Sequence, residues 1–202
     1  MTDLLIAAPL RLEAWAITAG IRSRGAGDGI PAPRVHRTGM GPRRAQAIAP
    51  ALRVRPGSAL VVMGFGGGLD EHGDVGDVVV ADAVLHPEGA AIACAGAEQL
   101  ADALACRGLR VRRGTVASVE RLATGDTRTR LRETGAIAVD MESAWLAAGA
   151  GERPFAVVRV ISDTPARELT NPLLTLAGIA RAMDGLRRTA GALHEWRLEG
   201  LR

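Results

Sequence analysis

The residues with the most chemical potential lie in Ala138–Thr164, which reads AVDMESAWLAAGAGERPFAVVRVISDT. Two short apolar runs here each end in acidic residues. The first leads into Asp140-Met141-Glu142, and the second passes Arg159 and ends in Ser162-Asp163. Carboxylates at the ends of buried strands are where α/β proteins place their chemistry. A carboxylate accepts hydrogen bonds when ionised and delivers a proton when neutral, and its surroundings decide which. Plainer roles stay open. Glu142 also fits a first-turn helix carboxylate, and Asp163 a cap of the turn Ser162-Asp163-Thr164-Pro165. A third carboxylate, Glu13, falls in the first turn of a helix just after the first strand, where complementing the helix dipole would also explain it.

These groups need a scaffold. Leu4–Ala8 is a continuous apolar run, as in a buried parallel strand, and Leu10–Gly20 has helical spacing of Leu12, Trp15, Ala16 and Ala19. After a Gly/Pro-rich loop at Gly25–Pro33 come a strand at Val35–Thr38 and a helix at Arg43–Arg53 with Pro42 at its start. Amides at that helix start, with Arg43 and Arg44, could face an anion; an exposed Arg-rich turn explains them equally well. Further strands are expected at Ala59–Met63, Val78–Ala81, Arg110–Val119, Ala136–Val139 and Pro154–Ile161, and helices at Ala97–Arg107 and Glu142–Ala150. Ala123–Gly135 reads as a loop with a short helix, and a last helix starts at Thr170-Asn171-Pro172 and runs to about Trp196. The alternation predicts one α/β domain over residues 1–202, with a mostly parallel sheet flanked by helices.

Met63 is followed by Gly64-Phe65-Gly66-Gly67-Gly68-Leu69-Asp70. This is not a dinucleotide site, because the next regular element is the strand Val78–Ala81 and no helix receives the pyrophosphate. The glycines suit either a flat ligand lying on the backbone or a structural turn.

Composition narrows the classes. Of the 202 residues 48% are apolar, so an ordered core is expected. There are three Trp, two Phe and no Tyr, too few aromatics for a base-stacking nucleic-acid surface. All 25 basic residues are Arg, which removes Schiff-base chemistry, and the net charge of +3 is spread along the chain. Cys94 and Cys106 form no metal-binding pattern, so no metal or cofactor is expected. The apolar run near the N-terminus is too short for a signal peptide or a membrane span, and a cytoplasmic protein without membrane insertion is expected.

Three segments together resemble the purine nucleoside phosphorylase and nucleosidase superfamily. They are Gly64–Asp70 with Val75-Gly76-Asp77-Val78-Val79-Val80, then Ala138–Glu142, and then Val157-Val158-Arg159-Val160-Ile161-Ser162-Asp163. The superfamily includes methylthioadenosine/S-adenosylhomocysteine nucleosidase, futalosine hydrolase and hopanoid-associated nucleoside phosphorylases. The resemblance implies a three-layer α/β/α fold, usually oligomeric, that binds a purine nucleoside and breaks its N-glycosidic bond. It implies that Met141 and Glu142 hold the ribose, that Asp163, oriented by Ser162, helps protonate the base at N7, and that Glu13 activates water. Arg159 would line the nucleophile's side of the sugar. Phe65, Gly66, Gly67 and Val119 would lie along the base and nucleophile pocket. The chemistry asks for such residues: Asp163 kept neutral by burial as acid, Glu142 kept ionised to accept hydroxyl hydrogen bonds.

The chain departs from the resemblance where Val62, Met63, Gly64 and Phe65 replace the Arg-x-Gly-Ser that binds phosphate in many phosphorylases. Phe65 also stands where nucleosidases commonly carry a Ser. Hydrolysis is therefore expected ahead of phosphorolysis, with inorganic phosphate as an alternative partner and a non-catalytic nucleoside-binding protein as another. The Asp-Met-Glu-Ser motif and short chain most resemble the hopanoid-associated subgroup, which acts on adenosylhopane. Such a substrate needs an apolar entrance, to which Trp15, Trp145 or the last helix could contribute.

Overall fold

The computed structural model describes residues 3–23, 32–52, 58–166 and 172–193, and side chains within these except those of 3 and 172–175. The strands are β1 (Asp3–Ala8), β2 (Arg34–Arg37), β3 (Ser58–Gly68), β4 (Val78–Leu85), β5 (Ala91–Ala93), β6 (Val111–Ser118), β7 (Ala136–Asp140) and β8 (Phe155–Asp163). The helices are α1 (Arg11–Ser23), α2 (Pro42–Ile48), α3 (Ala97–Ala105), α4 (Gly125–Glu133), α5 (Ser143–Leu146) and α6 (Pro172–Leu193). Short 3₁₀ turns extend α2 to Leu52 and α5 to Gly149. Most of the expected Gly25–Pro33 loop, Arg53, Thr170-Asn171 and Trp196 lie outside the described residues.

Alternation along β1 and β3 sets up two helical layers. Leu4, Ile6, Val61 and Met63 face a core shared with Ile17 of α1, Leu100 of α3 and Leu186 of α6. Leu5, Ala7, Leu60 and Val62 face the other side, with Ala45 of α2 and Leu146 of α5. The result is the expected three-layer α/β/α arrangement.

The sheet is mixed. Pairings β1–β2, β1–β3, β3–β8, β4–β6 and β6–β7 are parallel, while β3–β7, β4–β5 and β4–β8 are antiparallel. The antiparallel share has a local cause. Turns, not a helix, link β3 to β4, so β4 returns antiparallel, against β8. Strands β3, β8, β4, β6 and β7 thereby close into a ring, with β2 and β1 continuing outward from β3.

The glycine run is not a loop. β3 continues through it to Gly68, pairing with β8 as far as Gly67↔Asp163, past a register shift after Gly66, and closing the ring through Gly67↔Val139 and Gly68↔Ala138. Absence of side chains is what permits this, since a Cβ on Gly67 would lie 3.0 Å from Arg128 Nη2 and 3.1 Å from Val139 Cγ1. Among the described residues no helix is long and apolar enough to cross a membrane.

Candidate active site

A cavity of about 260 Å³ opens where β1, β3, β7 and β8 end. Of the residues picked out in the sequence, Glu13, Phe65, Gly66, Gly67, Val119, Met141, Glu142, Ser162 and Asp163 line it. Arg159 does not. It lies behind the wall, fully buried, as a support and not a surface.

Around Arg159 the structure gathers three carboxylates. Its Nε donates to Asp140 Oδ2 at 2.9 Å, Nη2 lies 2.8 Å from the same oxygen in an ion pair, and Nη2 donates to Ser143 Oγ at 3.0 Å. Nη2 lies 3.6 Å from Glu142 Oε2, and Nη1 reaches the Phe65 carbonyl at 3.3 Å. Glu13 completes the group: its Oε1 accepts the Phe65 N–H at 2.7 Å and its Oε2 the Leu10 N–H at 2.6 Å. Gly64 sits between the two charges, where a Cβ would meet Glu13 Oε1 at 2.7 Å and Arg159 Nη1 at 2.9 Å.

The sequence gives no separate role to Asp140 or Ser143, and it places Ser118 beside Val119 in the base pocket, whereas only Val119 lines the cavity. Asp140 is the anchor of this end. Its Oδ1 accepts the Ser118 hydroxyl at 2.7 Å and the N–H groups of Glu142 and Ser143 at 3.1 and 3.2 Å. It therefore caps α5 and leaves Glu142 for other work. The available signal was an Asp three residues before a Ser at a helix start. Glu142 Oε1 accepts the Gly41 N–H at 2.8 Å. That amide at the start of α2 is thus committed to a carboxylate and does not face a free anion.

One buried guanidinium faces three buried carboxylates, and two of these, Glu142 and Glu13, are raised above the ordinary carboxylate value. Burial raises Glu142 to about 7, with Asp140 and Glu13 adding to the rise while Arg159 and the Gly41 N–H oppose it. Burial raises Glu13 as well, against the Phe65 N–H and Arg159. A base raised towards neutrality is better matched to taking a proton from water. For Glu142 the sign is definite. Its folded value lies above the ordinary 4.5, so the folded form holds a proton that the unfolded chain has lost. Its contribution to stability therefore declines as pH rises from 4.5 to about 7 and is level above that. Were Glu142 to hold a ribose, as the resemblance implies, binding would run the other way, because only the ionised form accepts two hydroxyls. KM is expected to rise as pH falls below about 7, and a KM–pH profile that is flat between pH 5.5 and 8 counts against this role.

Asp163 stands apart from this cluster, almost fully buried at the end of β8. Ser162 donates its hydroxyl to Oδ1 at 2.8 Å, as expected. The sequence did not foretell Arg128 of α4, whose Nη2 is hydrogen-bonded to Asp163 Oδ2. Among the described residues no group of three or more His, Cys, Asp or Glu is placed to hold a metal ion.

The mouth is apolar. Leu12, Met40 and Leu122 line the cavity and are 46%, 54% and 60% exposed, and Ile179 of α6 joins them. Trp15 is exposed one helical turn from Leu12 but does not line the cavity. Trp145 is elsewhere, edge-on to His86 at 5.4 Å between centroids. Of the entrance groups suggested by the sequence, only the last helix takes part.

The fold is shared with solved structures of low sequence identity. It matches futalosine hydrolase of Helicobacter pylori strain 26695 with a TM-score of 0.77 and 18% identity over 95% of this chain and 97% of the other. The 5′-methylthioadenosine/S-adenosylhomocysteine nucleosidase of Helicobacter pylori, solved with butyl-thio-DADMe-Immucillin-A, gives a TM-score of 0.73 and 21% identity over 96% of both chains. The corresponding nucleosidase of Neisseria meningitidis, in complex with methylthio-immucillin-A, gives 0.75 and 17% over 97% and 100%. No match was found among curated proteins. Residues 32–193 match the phosphorylase superfamily. The chain therefore belongs to the phosphorylase superfamily, the enzymes of N-glycosyl bond cleavage that its three motifs resemble.

Proposed function

We propose that this protein hydrolyses the N-glycosidic bond of a purine nucleoside of the adenosine type. The observation that carries the reading is one cavity lined by Glu13, Glu142 and Asp163, the first two in one charge cluster and the third in another. In this reading Met141 and ionised Glu142 hold the ribose, and Asp163 meets the base. A water gives a proton to Glu13 as its oxygen bonds to C1′ of the sugar. The C1′–N9 bonding pair goes to the base, which receives the Asp163 proton at N7. Asp163 is left ionised and Glu13 protonated, and exchange with solvent resets both. Arg159 acts as a positioning residue through Asp140 and Glu142.

Hydrolysis is favoured over phosphorolysis on charge. An entering phosphate would face Glu13 and Glu142, while Arg159 is buried behind them and the Gly41 N–H is already bonded to Glu142. Phe65, on the cavity wall, has no hydroxyl to offer an anion. Adenine release is expected at the same rate with and without inorganic phosphate. Stimulation by phosphate would make the enzyme a phosphorylase. A purely nucleoside-binding protein is the reading from another class, and the absence of any base release would establish it.

The exposed Leu12, Met40 and Leu122 support a nucleoside with an apolar 5′ substituent, of which adenosylhopane is the type suggested by the hopanoid-associated subgroup. Burial of a methylene is worth about 0.8 kcal/mol. Two added methylenes on a 5′-alkylthioadenosine series should thus lower KM by roughly tenfold, whereas a KM unaffected by chain length removes the apolar-substrate reading.

A further inference from the structure

Arg128 is the one fully buried side chain of α4, in a segment, GDTRTRLRE, that is polar but for the half-buried Leu131. Its Nε donates to the Ala123 carbonyl at 3.0 Å and its Nη1 to the Gly68 carbonyl at 3.0 Å. Those two bonds tie α4 to its own leading loop and to the end of β3. The third contact, from Nη2 to Asp163 Oδ2, is of a different kind. It places a charge on the cavity wall, beside the glycine floor at Gly67. With the Ser162 hydroxyl on Oδ1, it leaves neither carboxylate oxygen of Asp163 free to turn.

We propose that Arg128 is a positioning residue for the base end of the site, fixing the plane in which the Asp163 carboxyl meets the leaving base. The inference rests on Asp163 being the acid of the hydrolysis. A planar guanidinium fork, held by two carbonyls, sets a carboxylate's orientation in a way that an ammonium does not. The groups beside Asp163 are Arg128 from α4, the Ser162 hydroxyl from β8 and Gly67, its ladder partner on β3. Arg128 thus acts on the carboxyl that reacts and not on the ribose, which is held at the Glu142 end. Its loss should appear in turnover and not in nucleoside affinity.

A double-mutant cycle tests this. Arg128→Gln in the otherwise unchanged chain should lower kcat for adenine release by about tenfold or more, with KM changed less than about threefold. In an Asp163→Asn background the same change should alter kcat by less than about twofold, because residues acting through one group are not additive. Arg128→Lys keeps the charge and loses the fork. It should follow the same pattern with a smaller loss, and it carries the test should Arg128→Gln not fold. An equal loss in both backgrounds overturns the proposal and leaves Arg128 as an anchor of α4. An unchanged kcat in the single variants overturns it too. Should Asp163→Asn itself turn over at the normal rate, both this inference and the acid role of Asp163 fall. Inert Arg128 variants beside a crippled Asp163→Asn defeat only this one.

Discussion

Asp163→Asn is expected to reduce kcat for base release by about 10²–10⁴-fold, the usual scale of general acid help, while nucleoside binding stays within a few-fold. The two side chains have the same shape. Asparagine can turn its amide oxygen to Arg128 and donate its N–H to the Ser162 hydroxyl oxygen, whose own proton goes to the Gly66 carbonyl at 3.3 Å, so the packing at the end of β8 survives. What it cannot do is deliver a proton to a departing purine. The bonding pair then leaves on an unprotonated base, and the barrier rises by the cost of that negative charge. Steady-state assays with adenine detection, backed by equilibrium binding of the nucleoside, separate the two effects. Wild-type turnover in Asp163→Asn would show that another group protonates the base.

The second large effect is on stability. Arg159→Met should destabilise the fold by about 3–5 kcal/mol, the cost of leaving buried charge without its partner. That is a large part of the 5–15 kcal/mol that typically holds a domain. Arg159 is completely buried and bridges Asp140, Ser143, Glu142 and the Phe65 carbonyl. Methionine fills much of the space but leaves Asp140, Glu142 and Glu13 facing one another with no cation between them. The loss should therefore depend on pH. It should be greatest above pH 8, where Glu142, raised to about 7, is ionised, and smaller near pH 5, where Glu142 relieves the repulsion by holding a proton. Urea unfolding at the two pH values measures this. A variant within about 1 kcal/mol of the parent at high pH would mean that Arg159 does not hold the cluster together.

Much of this arrangement could be read from the chain, for identifiable reasons. Leu4–Ala8 of β1 is an unbroken apolar run and Phe155–Ile161 of β8 is apolar but for Arg159, so their ends, and hence Glu13 and Asp163, could be placed. The Asp-Met-Glu-Ser motif located the Glu142 end of the cavity because it ties a strand end to a helix start. The glycines after Met63 misled, since glycine signals turns and its use for close packing shows only when the packed neighbour is known. Arg128 could not have been found. It alternates with Arg130 and Arg132 in a polar helix, and only the fold distinguishes the buried one. The mouth was equally hidden, because Leu12, Met40 and Leu122 come from separate segments that periodicity cannot bring together. β5 escaped because three residues in an Ala-rich stretch carry no strand signal.

The ring of strands also orders events while the chain is being made. β3 and β4 follow one another in sequence, yet the strand between them in the ring is β8, the last to be synthesised. Until Phe155–Asp163 emerges, both older strands hold open edges of Val, Leu and Ala with little charge to repel a stranger. Insertion of β8 seals those edges and, in the same movement, brings Asp163 to the cavity and Arg159 under Asp140. The nascent protein is thus most prone to aggregation while it still lacks its site, and loses that risk on the stroke that completes it.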